Sequence, residues 1–248
     1  MSKTIIITGG SRGIGAATAR LAGKRGWSVS INFVEDEVAA GSTARAVEQG
    51  GGKAIVVRGN IASEDDVVRL FDETEQALGA IDGVVNNAGI LRPAMPFAEM
   101  SLARIREIVD VNVIGAYLVG REAARRMATG RGGKGGALVN VSSIAARLGA
   151  PNIGVDYAGA KAAVEAMTLG LSKELAPEGV RVNAIRPGTI DTEIHESWGV
   201  PNWVRDIAPT IPAGRAGTAE EAGEAIMWLL SDASSYVSGA ILDVTGGR

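Results

Sequence analysis

Two side chains that could exchange a proton with a substrate lie one helical turn apart. Tyr157 and Lys161 begin a segment of helical spacing, so a helix would bring the phenol and the ammonium to one face. A nearby positive charge stabilises a phenolate, and the pKa of an unperturbed tyrosine is about 10. A functional pair would lower the pKa of Tyr157 toward the range of a general acid or base. The spacing is also typical of ordinary surface pairs and leaves both interpretations open.

A glycine-rich turn follows the first predicted strand and could hold phosphate groups. It consists of Gly9, Gly10, Ser11, Arg12, Gly13, Ile14 and Gly15, and helical spacing begins directly after it. Glycines let the backbone approach a pyrophosphate closely, and the helix presents its free N–H groups and positive dipole end. The spacing differs from G-x-G-x-x-G, so a turn without a ligand is an alternative. Its place after the first strand favours dinucleotide binding.

The end of the second predicted strand bears on which dinucleotide is bound. Folds that bind NAD usually place an Asp or Glu there, on the ribose 2′-hydroxyl, but this strand ends at Phe33. Arg12 could instead pair with a 2′-phosphate, which favours NADP(H). Glu35 and Asp36 follow directly and would repel a phosphate. NAD therefore stays an alternative, and Arg12 could be a solvated loop charge.

Composition excludes or disfavours several classes of protein. The chain has 248 residues, a formal net charge of −3, no cysteine and one histidine. A disulfide scaffold is excluded, and a metal site would need carboxylates almost alone, so we expect no metal. The charge offers no attraction for phosphate backbones, so we expect no nucleic-acid partner. No run approaches the roughly 20 apolar residues of a membrane span and no signal-peptide pattern is evident, which predicts a cytoplasmic protein without a membrane partner.

Short β-branched runs alternate with longer segments of helical spacing. This alternation predicts an α/β fold: a single Rossmann-type doubly wound domain over residues 1–248, with a seven-stranded parallel sheet and helices on both faces. The predicted strands are residues 3–8, 28–33, 54–58, 83–86, 137–142, 181–185 and 241–244, and the predicted helices are residues 13–25, 38–49, 63–78, 102–127, 157–176 and 218–230. Residues 130–136 are predicted to form an exposed loop. Residues 187–217 hold four prolines and form a segment longer than ordinary connections, so we expect a substrate loop there.

Six short segments occur in the order found in short-chain dehydrogenases/reductases, and the chain resembles that family over residues 3–247. The segments are Thr8-Gly9-Gly10-Ser11-Arg12-Gly13-Ile14-Gly15, Asn86-Asn87-Ala88-Gly89, Val111-Asn112-Val113, Val141-Ser142-Ser143, Tyr157 with Lys161, and Arg186-Pro187-Gly188. The similarity is greatest to members described as sugar dehydrogenases, 3-oxoacyl-thioester reductases or uncharacterised oxidoreductases.

The resemblance implies catalytic roles for four residues. Tyr157 would exchange a proton with the substrate oxygen while hydride moves between the nicotinamide and the same carbon. Lys161 would lower the pKa of Tyr157 and hold the nicotinamide ribose. Ser143 would hydrogen-bond the substrate oxygen, and Asn112 would fix a water on the proton path. Neighbouring side chains of an extended segment point to opposite faces, so Ser142 is expected to bond to backbone instead.

The resemblance also implies which residues bind the cofactor. Those near the first three strands are Gly9, Ser11, Arg12, Gly13, Ile14, Gly15, Phe33, Asn60 and Ile61. Those on later segments are Asn87, Ala88, Gly89, Tyr157, Lys161, Pro187, Gly188, Ile190 and Thr192. Asn86 is expected to stabilise the sheet.

The long loop and two helices suggest further contacts. His195, Trp198 and Trp203 could line a substrate site, although a solvated histidine and packing tryptophans are the simpler interpretation. The predicted helices 102–127 and 157–176 carry more apolar residues than one buried face requires. Small residues, namely Ala158, Gly159, Ala162 and Ala163, would let another helix approach closely. We therefore expect a homo-oligomer, and the family resemblance implies a tetramer.

The sequence leads to one main functional prediction and two alternatives. The main prediction is an NADP(H)-dependent oxidoreductase that interconverts a ketone or aldehyde and an alcohol, with Tyr157 as acid and base. The first alternative is an NAD-dependent sugar dehydrogenase of the glucose type. The second is a non-catalytic dinucleotide-binding sensor or scaffold, which the complete proton-transfer set disfavours. The sequence identifies neither the carbonyl or alcohol substrate nor the direction of the reaction.

Overall fold

Seven strands form one parallel sheet in the computed structural model, which describes residues 2–200 and 202–248 except for the side chains of 195–197. The strands are β1 (Thr4–Ile7), β2 (Ser28–Phe33), β3 (Ala54–Arg58), β4 (Gly83–Asn86), β5 (Gly136–Val141), β6 (Val180–Pro187) and β7 (Ile241–Val244). Their order across the sheet is β3-β2-β1-β4-β5-β6-β7, and every neighbouring pair is parallel. The predicted doubly wound parallel sheet is confirmed.

Helices cover both faces of this sheet. They are α1 (Gly13–Lys24), α2 (Glu37–Gln49), α3 (Glu64–Leu78), α4 (Leu102–Val109), α5 (Ala116–Met127), α6 (Ala145–Leu148), α7 (Val155–Leu175), α8 (Trp203–Ile207) and α9 (Ala219–Leu230). Successive side chains of β1 alternate between faces, so Ile5 and Ile7 pack with α1, α2 and α9, while Ile6 packs with α3 and α5. The sheet is therefore buried on both sides, which explains its nearly continuous apolar strands.

The strand order creates a crevice between β1 and β4. Connections from these two adjacent strands lead to opposite sides of the sheet, and ligands of open α/β sheets bind at such a switch point, beyond the carboxyl ends of the strands. Thr8, just after β1, fastens the two ends together. Its Oγ1 accepts hydrogen bonds from the backbone N–H groups of Asn87 and Ala88, each at 3.0 Å.

The predicted helix 102–127 contains an interruption. Between α4 and α5, residues Asp110–Gly115 form a π-helical turn, and this turn contains Asn112. A side-chain Cβ at Gly115 would lie 2.8 Å from side-chain carbons of Ile61, so the turn packs closely on the loop after β3. Single π-helical turns inside α-helices occur frequently at functional sites.

The remaining differences from the sequence prediction are local. β6 extends beyond the predicted 181–185 at both ends, and β5 starts and ends one residue earlier than predicted. The segment 130–136 is mostly a loop, with a 3₁₀ turn at Thr129–Arg131 and the start of β5 at Gly136. The segment 187–217 holds α8 and two 3₁₀ turns, Glu193–Trp198 and Ala208–Thr210. Within the described part of the chain, no helix is long and apolar enough to cross a bilayer.

Candidate active site

A cavity of about 810 Å³ opens at the carboxyl ends of the central strands. Every residue that the family resemblance assigns to the cofactor lines it except Gly15, so the sequence-based set is brought together in space. These residues are Gly9, Ser11, Arg12, Gly13, Ile14, Phe33, Asn60, Ile61, Asn87, Ala88, Gly89, Tyr157, Lys161, Pro187, Gly188, Ile190 and Thr192.

The glycine turn forms the floor of the cavity beside the N-terminus of α1. Gly9 and Gly13 have φ angles of 61° and 53°, a backbone region that favours glycine. No described side chain caps α1, and its first turn holds no acidic residue, so its N–H groups and positive dipole end can accept an anion. A dinucleotide pyrophosphate fits this turn. Gly15 lies behind the wall, where a Cβ would be 2.4 Å from the Gly9 carbonyl oxygen.

Arg12 and Asp36 form a pair of opposite charges at the far end of the glycine turn. The Arg12 Nη2 lies 3.4 Å from the Asp36 Oδ2, and both side chains are partly exposed. The other oxygen of Asp36 accepts a hydrogen bond from Ala39 N at 2.9 Å and so caps α2. Both residues line the cavity just beyond Phe33. This end of the cavity can therefore present a cation to a phosphate or a carboxylate to a hydroxyl.

Tyr157, Lys161 and Ser143 converge at the opposite end of the same cavity. Tyr157 lies in the first turn of α7, and the Lys161 Nζ is 5.7 Å from the centroid of its ring. The Lys161 Nζ donates a hydrogen bond to the Val141 carbonyl oxygen at 2.9 Å. The Ser143 hydroxyl hydrogen-bonds to that of Tyr157. The spacing therefore brings the three predicted groups to one place.

Burial dominates the acid–base properties of this cluster. Loss of hydration raises the pKa of Tyr157 to about 12, against a smaller lowering by the hydrogen bond from Ser143. Loss of hydration also lowers the pKa of Lys161 to about 8. Burial is thus the largest influence on the pKa of Tyr157, and the lowering of this pKa by Lys161 that the resemblance implies stays a prediction. The phenol is therefore protonated at neutral pH.

Asn112 lies behind the cavity wall, next to Lys161. Its Oδ1 accepts a hydrogen bond from Ile90 N at 3.0 Å, and its Nδ2 donates to the Ile90 carbonyl oxygen at 3.0 Å. Gly89 lies between these two side chains. A Cβ at this position would lie 2.6 Å from the Asn112 Oδ1 and 3.2 Å from the Lys161 Nζ, so a larger residue would crowd both. Asn112 thus holds the loop after β4 in place, and its predicted role in fixing a water stays a prediction.

Three asparagines near the crevice make different contacts. Asn87 donates from Nδ2 to the carbonyl oxygens of Thr8 and Gly9 at 2.9 and 3.1 Å, so it braces the glycine turn. Asn86 donates to the Asn140 Oδ1 at 3.0 Å within the sheet, as the sequence suggested. Asn60 is exposed at the cavity edge, with its backbone N–H bonded to the Asp66 carboxylate.

The remaining part of the cavity is mostly apolar. Trp198 and Trp203 line it in an edge-to-face arrangement, with ring centroids 4.9 Å apart. Nearby, Arg92 and Glu107 form a bidentate ion pair, and the Arg92 guanidinium lowers the pKa of the Glu107 carboxyl. These two charges neutralise each other, so this region suits an uncharged ring or chain. The side chain of His195 lies outside the described residues.

Sequence reasoning missed two ion pairs that hold α7. The Arg104 Nε on α4 donates to the Asp156 Oδ2 at 2.8 Å, and the other Asp156 oxygen accepts a hydrogen bond from the backbone N–H of Tyr157. These side chains are only 10% and 2% exposed. The second pair joins Glu165 to Arg186. The only available signal was Arg186 within the segment Arg186-Pro187-Gly188, since both pairs join residues far apart in sequence.

Comparison with known proteins agrees with this geometry. The family model described as enoyl-(acyl carrier protein) reductase matches residues 9–248. The uncharacterized oxidoreductase YgfF of Escherichia coli (strain K12) is 46% identical over 243 residues, which cover 98% of each chain. Cis-4-hydroxycyclohexanecarboxylate dehydrogenase of Sinomonas cyclohexanicum is 40% identical over 246 residues, which cover 99% of this chain and 96% of that protein.

A solved structure gives the same result for the fold. A short-chain type dehydrogenase/reductase from Mycobacterium marinum superposes with a TM-score of 0.92 at 34% sequence identity, covering 99% of this chain and 94% of that one. Within the described ranges, no group of three or more His, Asp or Glu side chains could hold a metal ion. The chain belongs to the short-chain dehydrogenase/reductase family, whose members use a nicotinamide dinucleotide to interconvert alcohols and carbonyl compounds.

Proposed function

We propose that this protein is an NADP(H)-dependent oxidoreductase that interconverts a ketone or aldehyde and an alcohol. The chain would act as a single domain, and residues 187–217 would form the loop beside the substrate. One observation carries the proposal. The Tyr157 hydroxyl, the Ser143 hydroxyl and the Lys161 ammonium meet in a cavity that continues to the glycine turn at α1. Proton transfer and dinucleotide binding therefore share one continuous space.

The protein residues account for proton transfer and orientation. The bound nicotinamide supplies or accepts the hydride at the substrate carbon. Ser143 orients the substrate oxygen by a hydrogen bond, and Tyr157 donates its proton to that oxygen in the reducing direction. The positive charge of Lys161 then stabilises the phenolate that remains. In the oxidising direction the same phenolate accepts the proton.

Removal of the Tyr157 hydroxyl should abolish most of the turnover. A positioned acid or base contributes about 10²–10⁴-fold to a rate, so Tyr157→Phe should lower kcat by about that factor. Steady-state kinetics on a panel of cyclic ketones, sugars and acyl thioesters, followed by nicotinamide absorbance, measures the loss. The fully exposed Tyr236 supplies the matched control, and Tyr236→Phe should keep wild-type kcat. Normal turnover by Tyr157→Phe would refute the mechanism.

The high pKa of Tyr157 can be tested without any substrate. Burial raises this pKa to about 12, above the ordinary value of about 10, so the side chain should stay protonated as the pH rises through about 10. The difference in tyrosinate absorbance between wild-type and Tyr157→Phe protein reports Tyr157 alone, because both proteins contain Tyr117 and Tyr236 and the absorbance of these two residues cancels in the difference. We expect no tyrosinate signal from Tyr157 near pH 10 in the cofactor-free protein. Ionisation at or below that pH would contradict the effect of burial.

The preference for NADP(H) rests on the cation at the adenosine end of the cavity. β2 ends at Phe33 without a carboxylate, and the partly exposed Arg12 lines the cavity. A 2′-phosphate would gain a charge-assisted hydrogen bond from Arg12, which already attracts the Asp36 carboxylate. Asp36 itself favours the alternative, NAD, because its Oδ2, which among the described residues is held only by the long contact with Arg12, could accept a hydrogen bond from a ribose hydroxyl.

Two substitutions separate these cofactor preferences. A hydrogen bond to a charged group contributes about 1.5–3 kcal/mol, so Arg12→Ala should lower kcat/KM for NADPH by roughly 10–100-fold and change that for NADH little. Asp36→Asn should raise the ratio of kcat/KM for NADPH over NADH, because asparagine keeps the helix cap and removes the repelling charge. Kinetics with both cofactors measures each ratio. A strong preference of the wild type for NADH would identify NAD as the cofactor.

We also propose a homotetramer, in the cytoplasm as expected from the sequence. One apolar face comprises Tyr117 and Ile114 near the start of α5 and Leu169 on α7, exposed by 45%, 47% and 43%. A second face near β7 holds Trp228 and the fully exposed Tyr236. Two separate self-complementary faces generate a closed dimer of dimers. Of the small residues expected at an interface, Gly159 and Ala162 are exposed, whereas Ala158 packs inside the subunit.

A tetramer built in this way should separate into dimers when one charged residue is placed in the second face. Trp228→Asp places an unpaired carboxylate in the second face and should yield dimers that still use the first face. Sedimentation velocity at micromolar concentration measures the species present. Val38→Asp is the control, since Val38 is 80% exposed on α2 and belongs to neither face. A monomeric wild-type protein would contradict the proposal.

A further inference from the structure

Ser142, the neighbour of Ser143, has a role that the proposed mechanism does not use. Its side chain is buried at the end of β5, and its Oγ donates a hydrogen bond to the Glu165 Oε1 at 2.7 Å. The same Oγ lies 3.3 Å from the carbonyl oxygen of Lys161. The bond to backbone expected from the sequence is therefore present. The shorter bond goes to a carboxylate on the helix that carries Tyr157 and Lys161.

Glu165 binds a second segment of the site through Arg186. The Arg186 Nε donates to the Glu165 Oε1 at 2.9 Å, and the Arg186 Nη2 donates to the Oε2 at 2.8 Å. The two side chains are only 13% and 15% exposed. A guanidinium and a carboxylate joined by two parallel bonds fix both distance and angle. The bonds to Glu165, and a further bond to Asp243, hold the pKa of Arg186 above its ordinary value.

These bonds connect three segments that each bring a group to the cavity. Ser142 precedes Ser143, Glu165 lies one helical turn after Lys161, and Arg186 precedes Pro187 at the end of β6. Asp243 on β7 extends the network, because it accepts hydrogen bonds from Arg186 at 2.5 Å and from Arg147 on α6 at 3.1 Å. No other described carboxylate hydrogen-bonds to both Ser142 and Arg186.

We infer that Glu165 is a positioning residue that holds Ser143 just after β5, the Tyr157–Lys161 pair on α7 and the Pro187 segment at the end of β6 in their relative places. The inference rests on the proposed function of this site. Glu165 lies outside the cavity wall and reaches the reacting groups only through Ser142 and Arg186. Because a displacement of about 1 Å can lower a rate by roughly 10²-fold, a carboxylate in this position acts on kcat.

A double-mutant cycle tests the connection. Ser142→Ala removes one bond and leaves the ion pair, whereas Glu165→Gln keeps an oxygen for Ser142 and removes the charge. We expect each variant to lower kcat for cyclohexanone reduction by roughly 10–100-fold, with KM for NADPH changed by less than about threefold. The double variant should be no slower than the slower single variant, because the connection from Ser142 to Arg186 runs through both bonds in series and a break in either one interrupts it. Multiplicative losses, or wild-type kcat in Glu165→Gln, would overturn the inference.

A second buried glutamate provides the control for a merely structural role. Glu122 on α5 is similarly buried and accepts hydrogen bonds from Arg125 and Arg126, on the same helix and away from the cavity. Glu122→Gln should lower Tm and keep wild-type kcat. If Glu165→Gln gives this same pattern, Glu165 stabilises the fold and positions nothing. Glu165→Asp should have a higher kcat than Glu165→Gln, because aspartate keeps the charge.

One readout does not depend on turnover and separates this inference from the proposed function. The tyrosinate difference titration reports how Tyr157 is buried, and Glu165→Gln should move its midpoint from about 12 toward the ordinary value of about 10. An unchanged midpoint would overturn the positioning role even in an inactive protein. Failure of the wild type on the whole substrate panel, with the midpoint shifted as expected, would count against the proposed function and support the positioning role.

Discussion

The rest of the site depends on one constraint: the buried ammonium of Lys161 must have polar partners. A charge that is 95% removed from solvent is costly unless polar groups surround it, and the Val141 carbonyl at the end of β5 supplies the closest one. This bond is one of those that fasten α7 to the carboxyl edge of the sheet. Tyr157, one turn earlier, is thereby held at the cavity, while Gly89 leaves room for the ammonium. The burial that raises the pKa of Tyr157 also lowers that of Lys161, so the same constraint sets both proton affinities.

The part of α7 that carries Tyr157 and Lys161 is held from two sides by ion pairs that have little contact with water. Asp156 and Arg104 tie its first turn to α4, and Glu165 and Arg186 tie its third turn to β6. Removing one partner of such a pair leaves a buried charge without compensation, so each pair restricts the helix to one arrangement. The geometry of a proton-transfer site must be accurate to fractions of an ångström. Buried ion pairs on both sides of the Tyr157–Lys161 pair meet that requirement better than apolar packing, which tolerates small displacements.

Local sequence patterns predicted what local physical chemistry determines. Runs of β-branched residues predicted β2, β3, β4 and β7 with their observed ends, and the predicted helices 63–78 and 218–230 begin one residue before α3 and α9. The π-helical turn at Asn112 was not predicted, because it depends on the backbone of Ile90, which lies 22 residues away. Glu165 was missed for the same reason, since its partners come from two other strands. The motifs predicted which side chains meet in the cavity; the bonds that fix their distances depend on the tertiary fold.

The two halves of the cavity differ in how they are built, and this difference bears on specificity. The half beside α1 consists of strand ends and the glycine turn, where Gly9 has a φ of 61° and a Cβ would lie 3.0 Å from the Ala88 Cα, so a larger residue there would be strained and crowded. The opposite half is lined by residues of α6 and of the segment 187–217, among them Trp198 and Trp203. Under the proposed function, one arrangement of Ser143, Tyr157 and Lys161 would serve different alcohols, with the choice among them made by the lining near Trp203 and the Arg92–Glu107 pair.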